Sequence, residues 1–191
     1  MKTIGYCLTG SFCTFSKSIP QVKRLVDAGY NVIPIMSYNA ERLDTRFGRA
    51  KDFISELEEI TGNKALKTIT EVEPIGPKNL LDLLIISPCS GNTLGKLASG
   101  IYDTPATLCA KSHLRNQKPI LIGVSTNDAL TGSAKNIGML LNYKHYYFIP
   151  MSQDDFVKKP FSVVAHFDET LEAARLAIEE KQIQPIIKSK G

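Results

Sequence analysis

The fold of this chain is decided by the stretch Ser87-Pro88-Cys89-Ser90-Gly91-Asn92-Thr93-Leu94-Gly95-Lys96-Leu97-Ala98-Ser99-Gly100. The residues before it, 80–86, form a nearly unbroken apolar run, which is typical of a strand buried on both faces of a parallel sheet. The apolar residues after the turn recur at helical spacing and give one buried face: Leu94, Leu97, Ala98 and Ile101. The stretch therefore predicts a strand, a short polar turn and a helix in succession.

The turn between this strand and helix consists of small polar residues, Ser90 to Thr93. Ser90 or Asn92 is suited to cap the helix, and Gly100 is suited to end it. A turn of this kind presents backbone N–H groups at the positive end of a helix, where anions bind. In an open α/β sheet, ligands bind at the carboxyl ends of the strands. The turn is therefore a candidate for ligand binding.

Three more polar loops follow strand-like segments. They begin at Thr9-Gly10-Ser11, at Ser37 and at Ser125-Thr126-Asn127, after strands predicted over residues 3–9, 31–36 and 118–124. The repeated order of strand, polar loop and helix predicts a doubly wound parallel α/β sheet. Because parallel strands end at the same edge, we expect all four loops to converge there.

The composition is that of a soluble single-domain protein. The chain has 191 residues, of which 43% are hydrophobic and 22% are charged. No apolar run approaches the roughly 20 residues that cross a bilayer, and a strand-like segment starts at once, so we expect a cytoplasmic protein without a signal peptide. The net charge of +4 shows no dense basic stripe for nucleic acid, and the four cysteines lack the spacing of a zinc site.

Some boundaries and exposures follow from local signals. Ser18-Ile19-Pro20-Gln21 fits a capping box with proline in the first turn, so a helix is expected from Ser18 rather than from near Ser11. The earlier start would place Pro20 in the helix interior. Residues 64–78 contain two prolines and a glycine and predict an irregular loop, residues 146–150 predict the last strand, and His113 is expected to be exposed.

A family resemblance adds to this interpretation. Pro88-Cys89-Ser90-Gly91-Asn92-Thr93 resembles the Pro-Ala-Ser-Ala-Asn-Thr motif of the FMN-binding flavoprotein family, which includes cysteine decarboxylases and flavin prenyltransferases. The resemblance covers residues 2–185 and implies one three-layer α/β/α domain of Rossmann-like or flavodoxin-like type, followed by a frayed tail at residues 186–191. It also implies FMN. The chain has no GxGxxG fingerprint, which suits a mononucleotide better than a dinucleotide.

The resemblance implies that the four loops bind the cofactor. The expected contacts are Gly10, Ser11, Phe12, Ser37, Pro88, Ser90, Gly91, Asn92, Thr93, Ser125, Thr126 and Asn127. Gly10 can adopt positive φ and admit close approach, and Ser11 can offer a hydroxyl and an N–H to a phosphate. Ser37 matches a loop that carries a hydroxyl residue near FMN. Asn127 matches a Met-Asn loop that lies against the flavin.

The chain departs from two activities of the family. The decarboxylases carry a catalytic histidine in the region of residues 64–78, which has none, and their cysteine-glycine flap is missing. Phe156, Lys159 and Pro160 resemble the segment that closes over the flavin in prenyltransferases, but Val157 replaces a tyrosine of those enzymes. Decarboxylation is disfavoured, and prenyl transfer stays open only as an alternative.

Within the family, Glu73-Pro74-Ile75-Gly76-Pro77-Lys78-Asn79-Leu80-Leu81-Asp82 is most similar to one subunit of a two-subunit oxidoreductase of spore-forming bacteria, located in the mother cell. Its substrate is a cyclic dicarboxylate, so the reaction needs a hydride acceptor, cations and a base. The acceptor is FMN here or NADP on the partner subunit. Lys158 and Lys159 are expected to bind substrate, while Glu73 and Lys159 are candidates for catalysis.

Two consequences of the resemblance concern assembly. The members of the family assemble as trimers or larger shells, so we expect a homo-oligomer in addition to the partner subunit. An alternative is that this chain is a non-catalytic partner that supports the other subunit.

Overall fold

The computed structural model describes residues 1–189. The strands are β1 (Thr3–Leu8), β2 (Asn31–Met36), β3 (Leu83–Cys89), β4 (Ile120–Thr126), β5 (Tyr146–Phe148), β6 (Met151–Asp155) and β7 (Lys159–Ala165). The helices are α1 (Phe15–Asp27), α2 (Tyr38–Arg42), α3 (Ala50–Thr61), α4 (Ile69–Val72), α5 (Gly91–Ala98), α6 (Pro105–Leu114), α7 (Ala134–Asn142) and α8 (Thr170–Ile178).

All these strands join one sheet of seven strands. Strands β1 to β5 are parallel and follow the order β2-β1-β3-β4-β5, which is a doubly wound, flavodoxin-like arrangement. The outer side of β4 is shared, because β5 pairs with its first half and β7 pairs antiparallel with Ser125 and Thr126 at its end. The predicted α/β fold is confirmed, with an antiparallel hairpin of β6 and β7 added to the parallel sheet.

Alternating side chains divide the core between the two faces of the sheet. In β1, Ile4, Tyr6 and Leu8 belong to the core shared with α1, α3 and α8. Cys7 belongs to the core on the opposite face, with α4 to α7. Every residue of β3 is buried, as predicted for a strand covered by helices on both faces.

Helix α1 begins earlier than the sequence predicted. A 3-10 turn over Phe12–Thr14 leads directly into it, so Pro20 lies in its interior. Ser18 does not cap the helix, because its hydroxyl is buried and donates to the carbonyl oxygen of Ser87 at 2.8 Å. Pro20 and Ser16 are both exposed. The proline leaves the Ser16 carbonyl without its helical donor.

Two smaller expectations, on residues 64–78 and on the tail, need correction. Residues 64–78 are partly helical, since α4 has a capping box made by Thr68 and Glu71, and a 3-10 turn over Glu73–Ile75 follows it. The tail is ordered at residues 186–188, where the Met151 N–H donates to the Ile186 oxygen and the Lys188 N–H to the Met151 oxygen. Lys190 and Gly191 lie outside the described residues.

His113 is buried, contrary to the prediction. Helix α6 packs against both α4 and α5 as well as against the sheet, so little of its surface is free. The Nε2 atom of His113 lies 2.9 Å from the carbonyl oxygen of Pro119. A carbonyl can only accept, so Nε2 carries the hydrogen. Burial lowers the pKa of this imidazole to about 4.

Among residues 1–189, no helix combines the length and the apolar character that a membrane crossing requires.

Candidate functional site

A cavity of about 630 Å³ lies at the carboxyl ends of β1, β3 and β4. Its lining comprises Gly10, Ser11, Phe12, Cys13, Thr14, Lys17, Arg46, Phe47, Ser90, Ser125, Thr126, Asn127, Asp154, Lys159, Ser162 and Val164. The volume lies within the range of small-molecule sites. The chain leaves β1 and β3 in opposite directions along the sheet, which makes their carboxyl ends the switch point where doubly wound folds bind ligands.

The loop after β1 connects the other loops through side-chain hydrogen bonds. The Thr9 hydroxyl donates to the Pro88 oxygen at 2.7 Å and accepts from the Ser90 N–H at 2.9 Å. The Ser11 hydroxyl donates to the backbone oxygen of Ser125 at 2.6 Å. These bonds join the ends of β1, β3 and β4 into one wall of the cavity.

Ser11 itself has little left to donate to a ligand. Its N–H donates to the Thr9 oxygen at 2.8 Å, and its hydroxyl hydrogen is used on Ser125. The sequence suggested that these two groups would meet a phosphate. The free donors are instead the N–H groups of Phe12 and Cys13, because the first N–H groups of a helical segment have no partner within it.

The structure brings together part of the predicted set. Eight of the predicted residues line the cavity: Gly10, Ser11, Phe12, Ser90, Ser125, Thr126, Asn127 and Lys159. Gly10 does not have positive φ, so its backbone conformation does not require glycine. A Cβ at Gly10 would lie 3.7 Å from the nearest heavy atoms, in Asn39. The backbone there is accessible to a ligand.

Other predicted contacts have structural partners of their own. Ser37 is buried and caps α2, accepting from the Ala40 N–H at 3.3 Å. Pro88 lies within β3, and Thr93 is buried beside the Ser90 hydroxyl. None of these three residues lines the cavity.

The start of α5 faces a carboxylate of the protein itself. A Cβ at Gly91 would come within 2.7 Å of Asp128 Oδ1 and of Ser133 Oγ. Asp128 Oδ1 accepts from the hydroxyls of Thr126 at 2.6 Å and Ser133 at 2.9 Å. The Asp128 carboxylate therefore lies against this helix start, a position that favours negative charge. Gly91 and the exposed Asn92 do not line the cavity.

The remaining candidates lie apart from one another. Lys158 is exposed at the turn between β6 and β7, and Glu73 is exposed after α4, so neither lines the cavity. Lys159 does, and it donates to Asp154 at 3.0 Å, a contact that raises the pKa of its ammonium group. Of the two cysteines near these loops, Cys13 lines the cavity and Cys89 does not. Cys89 is buried, and its burial raises the pKa of its thiol.

Sequence reasoning missed Lys17, Arg46 and Phe47 as cavity residues. Phe47 lies before α3, which begins at Ala50. Residues 45–48 instead form a tight turn. The signal that could have found this turn is Gly48 directly after an aromatic residue.

The lining fits a phosphorylated, planar ring system. The Phe12 and Cys13 N–H groups and the Ser90 hydroxyl are suited to a phosphate, while the Asn127 amide and the Phe12 ring offer polar and flat contacts. Gly10 lines the cavity without a side chain, so its backbone is accessible to such a ligand.

Residues 1–169 match the sequence profile of the Flavoprotein family. The chain belongs to the flavoprotein family. Its resemblance to this family is thereby confirmed over most of its length. The cavity lies in the matched region, because all its lining residues fall between residues 10 and 164.

Individual relatives narrow the comparison within the flavoprotein family. The chain is 40% identical over 186 residues to the dipicolinate synthase B subunit of Bacillus subtilis, covering 97% of this chain and 93% of that protein. The crystal structure of the dipicolinate synthase B subunit from Bacillus halodurans superposes with a TM-score of 0.91 at 38% identity, covering 100% of this chain and 97% of that one.

A more distant structure shares the fold alone. DmrB of Burkholderia xenovorans, solved in complex with FMN and described as a cubic protein cage for redox transfer, has a TM-score of 0.69 at 18% identity. The match covers 94% of this chain and 97% of that one.

Proposed function

We propose that this chain is the B subunit of a dipicolinate synthase that binds FMN in the cavity at the carboxyl edge of the sheet. With an A subunit, it takes part in the oxidation of dihydrodipicolinate to dipicolinate in the mother cell of a spore-forming bacterium. The observation that carries the proposal is the single cavity shared by the ends of β1, β3 and β4, in a chain 40% identical to one component of that enzyme.

The cofactor would be held mainly by uncharged donors. The Phe12 and Cys13 N–H groups and the Ser90 hydroxyl would bind the phosphate, and Ser125 to Asn127 would lie along the ring. FMN, when bound, supplies an acceptor for a hydride. The Phe12 side chain would help to exclude water from one side of the ring.

Oxidation of dihydrodipicolinate removes one hydride and one proton and leaves an aromatic pyridine ring. Lys159 is not suited to remove the proton, because its ion pair with Asp154 favours the charged form of its ammonium group. Glu73 does not line the cavity, so we do not assign it as the proton acceptor. The proton acceptor is left without an assignment.

The proposal includes two kinds of protein contact. The names of the relatives describe one subunit of an enzyme, which supports an A-subunit partner. The description of DmrB as a cubic cage supports a homo-oligomer, a trimer or a multiple of it. Phe156 and Phe161 are 65% and 50% exposed on the β6–β7 hairpin, and apolar exposure of this size suits contact with protein.

The test measures flavin binding and turnover separately. FMN titrated into the purified chain should bind with one-to-one stoichiometry, followed by quenching of flavin fluorescence. Asn127→Ala should weaken binding about tenfold, since a lost hydrogen bond to a charged or polar ligand costs roughly 1.5 kcal/mol. The exposed residue Asn142, at the end of α7, provides the matched control Asn142→Ala.

Turnover is then measured with the A subunit and dihydrodipicolinate by the ultraviolet absorbance of the pyridine ring. The proposal expects dipicolinate to form faster with both subunits than with either one. It would be contradicted if FMN never bound and the A subunit alone worked at the full rate. A rate that depends on this chain although FMN does not bind would instead favour the alternative, a non-catalytic partner that supports the A subunit.

A further inference from the structure

The side chains that line the cavity carry more positive than negative charge. Among the lining residues within 1–189, Lys17, Arg46 and Lys159 are cationic and Asp154 is acidic. Lys159 is paired with Asp154. In the described part of the chain, no carboxylate oxygen lies within 4 Å of the Lys17 or Arg46 nitrogens. Two positive charges therefore face the cavity without an acidic partner.

Arg46 is presented by a turn built from several hydrogen bonds. The Thr45 N–H donates to the Gly48 oxygen at 3.0 Å, and the Gly48 N–H donates back to Thr45 at 3.1 Å. The Phe47 N–H donates to the Thr45 hydroxyl at 3.1 Å. Asp44 accepts from the first N–H of α3 at 2.9 Å. These bonds hold the backbone on both sides of Arg46.

Gly48 anchors this turn to the core. Its φ of +146° lies in a region that side chains disfavour, and a Cβ there would come within 2.5 Å of the Phe53 ring. Phe53 packs edge-on against the buried Phe15, with ring centroids 5.0 Å apart. The turn therefore has little freedom to move relative to α1.

The turn also places an aromatic ring beside its cation. The Arg46 guanidinium lies 4.8 Å from the centre of the Phe47 ring, and both residues line the cavity. A guanidinium suits a carboxylate because its parallel N–H groups bind both oxygens. A ring face beside it suits a planar aromatic acid.

We infer that Arg46 and Lys17 bind the two carboxylates of the substrate, a pyridine-type ring dicarboxylate, with Phe47 against its ring. The inference rests on the proposed function for the class of substrate. The number of unpaired cationic side chains at the cavity, two, equals the number of carboxylates in such a molecule. The phosphate of the cofactor is left to the Phe12 and Cys13 N–H groups, at the start of the segment that leads into α1.

The test is calorimetric titration of the full chain with pyridine-2,6-dicarboxylate and with pyridine-2-carboxylate, with and without FMN. Arg46→Gln and Lys17→Gln should each weaken the dicarboxylate at least tenfold. Wild-type protein should prefer the dicarboxylate to the monocarboxylate at least tenfold, and either variant should reduce this preference. The affinity for FMN should stay within twofold.

Matched controls remove the same charges elsewhere. Arg49→Gln removes the charge of an exposed side chain that is paired with Asp52, three residues from Arg46. Lys23→Gln removes an exposed charge from α1, the helix that carries Lys17. Both should bind the dicarboxylate within twofold of wild type. Unfolding curves of all four variants should coincide with wild type, because the substituted side chains are exposed.

Three results would overturn the inference. Wild-type protein could fail to bind the dicarboxylate, the two variants could bind it as wild type does, or both could lose FMN as strongly as the dicarboxylate, which would assign the cations to the phosphate. If FMN never bound but the dicarboxylate required Arg46 and Lys17, the inference would stand and the proposed flavin function would fall.

Discussion

Thr9 shows how a single hydroxyl can organise a site. It is completely buried, and it both donates to Pro88 and accepts from the N–H of Ser90. An unpaired buried donor costs roughly 1–3 kcal/mol, so this arrangement stabilises the end of β3 beside the cavity. Sequence reasoning placed Thr9 where the first strand meets its polar loop but predicted neither of these hydrogen bonds.

Gly10→Ala separates a ligand effect from a structural one. The added methyl group would keep at least 3.7 Å from its neighbours, and Gly10 is not at positive φ, so unfolding should change by no more than about 1 kcal/mol. If the flavin approaches this backbone, affinity for FMN should fall at least tenfold. Fluorescence titration and urea unfolding measure the two effects.

Gly91→Ala is the contrasting control for that experiment. A methyl group there would displace the hydrogen-bonded side chains of Thr126, Asp128 and Ser133, so it should lower stability by about 1–3 kcal/mol. Undiminished FMN binding by Gly10→Ala would show that the cofactor does not lie against Gly10.

The buried His113 should make stability depend on pH. Its folded-state pKa of about 4 lies below the unfolded value near 6.5, so between these values the unfolded chain binds a proton that the folded chain does not. The contribution is fully present above about pH 6.5 and is lost as the pH falls towards 4. The loss should be on the order of 3 kcal/mol.

Urea unfolding at pH 7 and pH 4.5 measures this effect. Carboxylates also titrate in acid, so the informative quantity is the difference between wild type and His113→Gln, whose amide can still donate to Pro119. The variant should lose less stability over this range. Parallel losses in the two proteins would mean that His113 becomes protonated without cost.

Among the elements, the β6–β7 hairpin changes the predicted site most. It brings Asp154, Lys159, Ser162 and Val164 to the cavity and pairs with the end of β4. Its first strand reads Met-Ser-Gln-Asp-Asp, which has no apolar alternation to reveal a strand. The pairing with β7 and β4 is what makes it one.

Helix α1 tolerates a proline that an isolated helix would not. Pro20 is exposed, so its replacement removes no buried contact. A proline in a helix interior costs roughly 3 kcal/mol relative to alanine, while the more flexible unfolded chain offsets up to about 1 kcal/mol. Pro20→Ala should therefore raise the free energy of unfolding by about 1–2 kcal/mol.

Urea unfolding checks that prediction, with Lys23→Ala as a control at an exposed position of the same helix. The control should stay within about 0.5 kcal/mol of wild type. A destabilised Pro20→Ala protein would indicate that the proline has a contact in the native protein beyond α1.

At the scale of the whole molecule, ligand binding should raise the free energy of unfolding. A ligand at 100 times its Kd raises the free energy of unfolding by about 2.7 kcal/mol. FMN should produce this shift in thermal unfolding. Riboflavin at the same concentration should produce much less, because it lacks the phosphate that the Phe12 and Cys13 N–H groups would bind. Equal shifts with FMN and riboflavin would mean that the phosphate is not bound by these N–H groups.

The sequence by itself determined the layered architecture and the edge of the sheet where the polar loops meet. The apolar run of β3 is fully buried in the structure, and Ile4, Tyr6 and Leu8 of β1 share one core. Both patterns can be recognised locally, because a strand buried on both faces is apolar throughout and a strand buried on one face has an apolar residue at every second position. Parallel strands must end at one edge, so the meeting of the loops after β1, β3 and β4 followed from their order.

Only the tertiary structure decided which polar groups remain free for a ligand. Ser11 bonds to Ser125, 114 residues away, and Asp128 lies against Gly91 at the start of α5. Arg46 and Lys17 line the cavity from the turn at residues 45–48 and from the first turn of α1, and sequence reasoning assigned neither residue to the site. Hydrogen bonds and ion pairs form between groups that are close in space, and the packing of the layers sets the distance between groups that are far apart in the sequence.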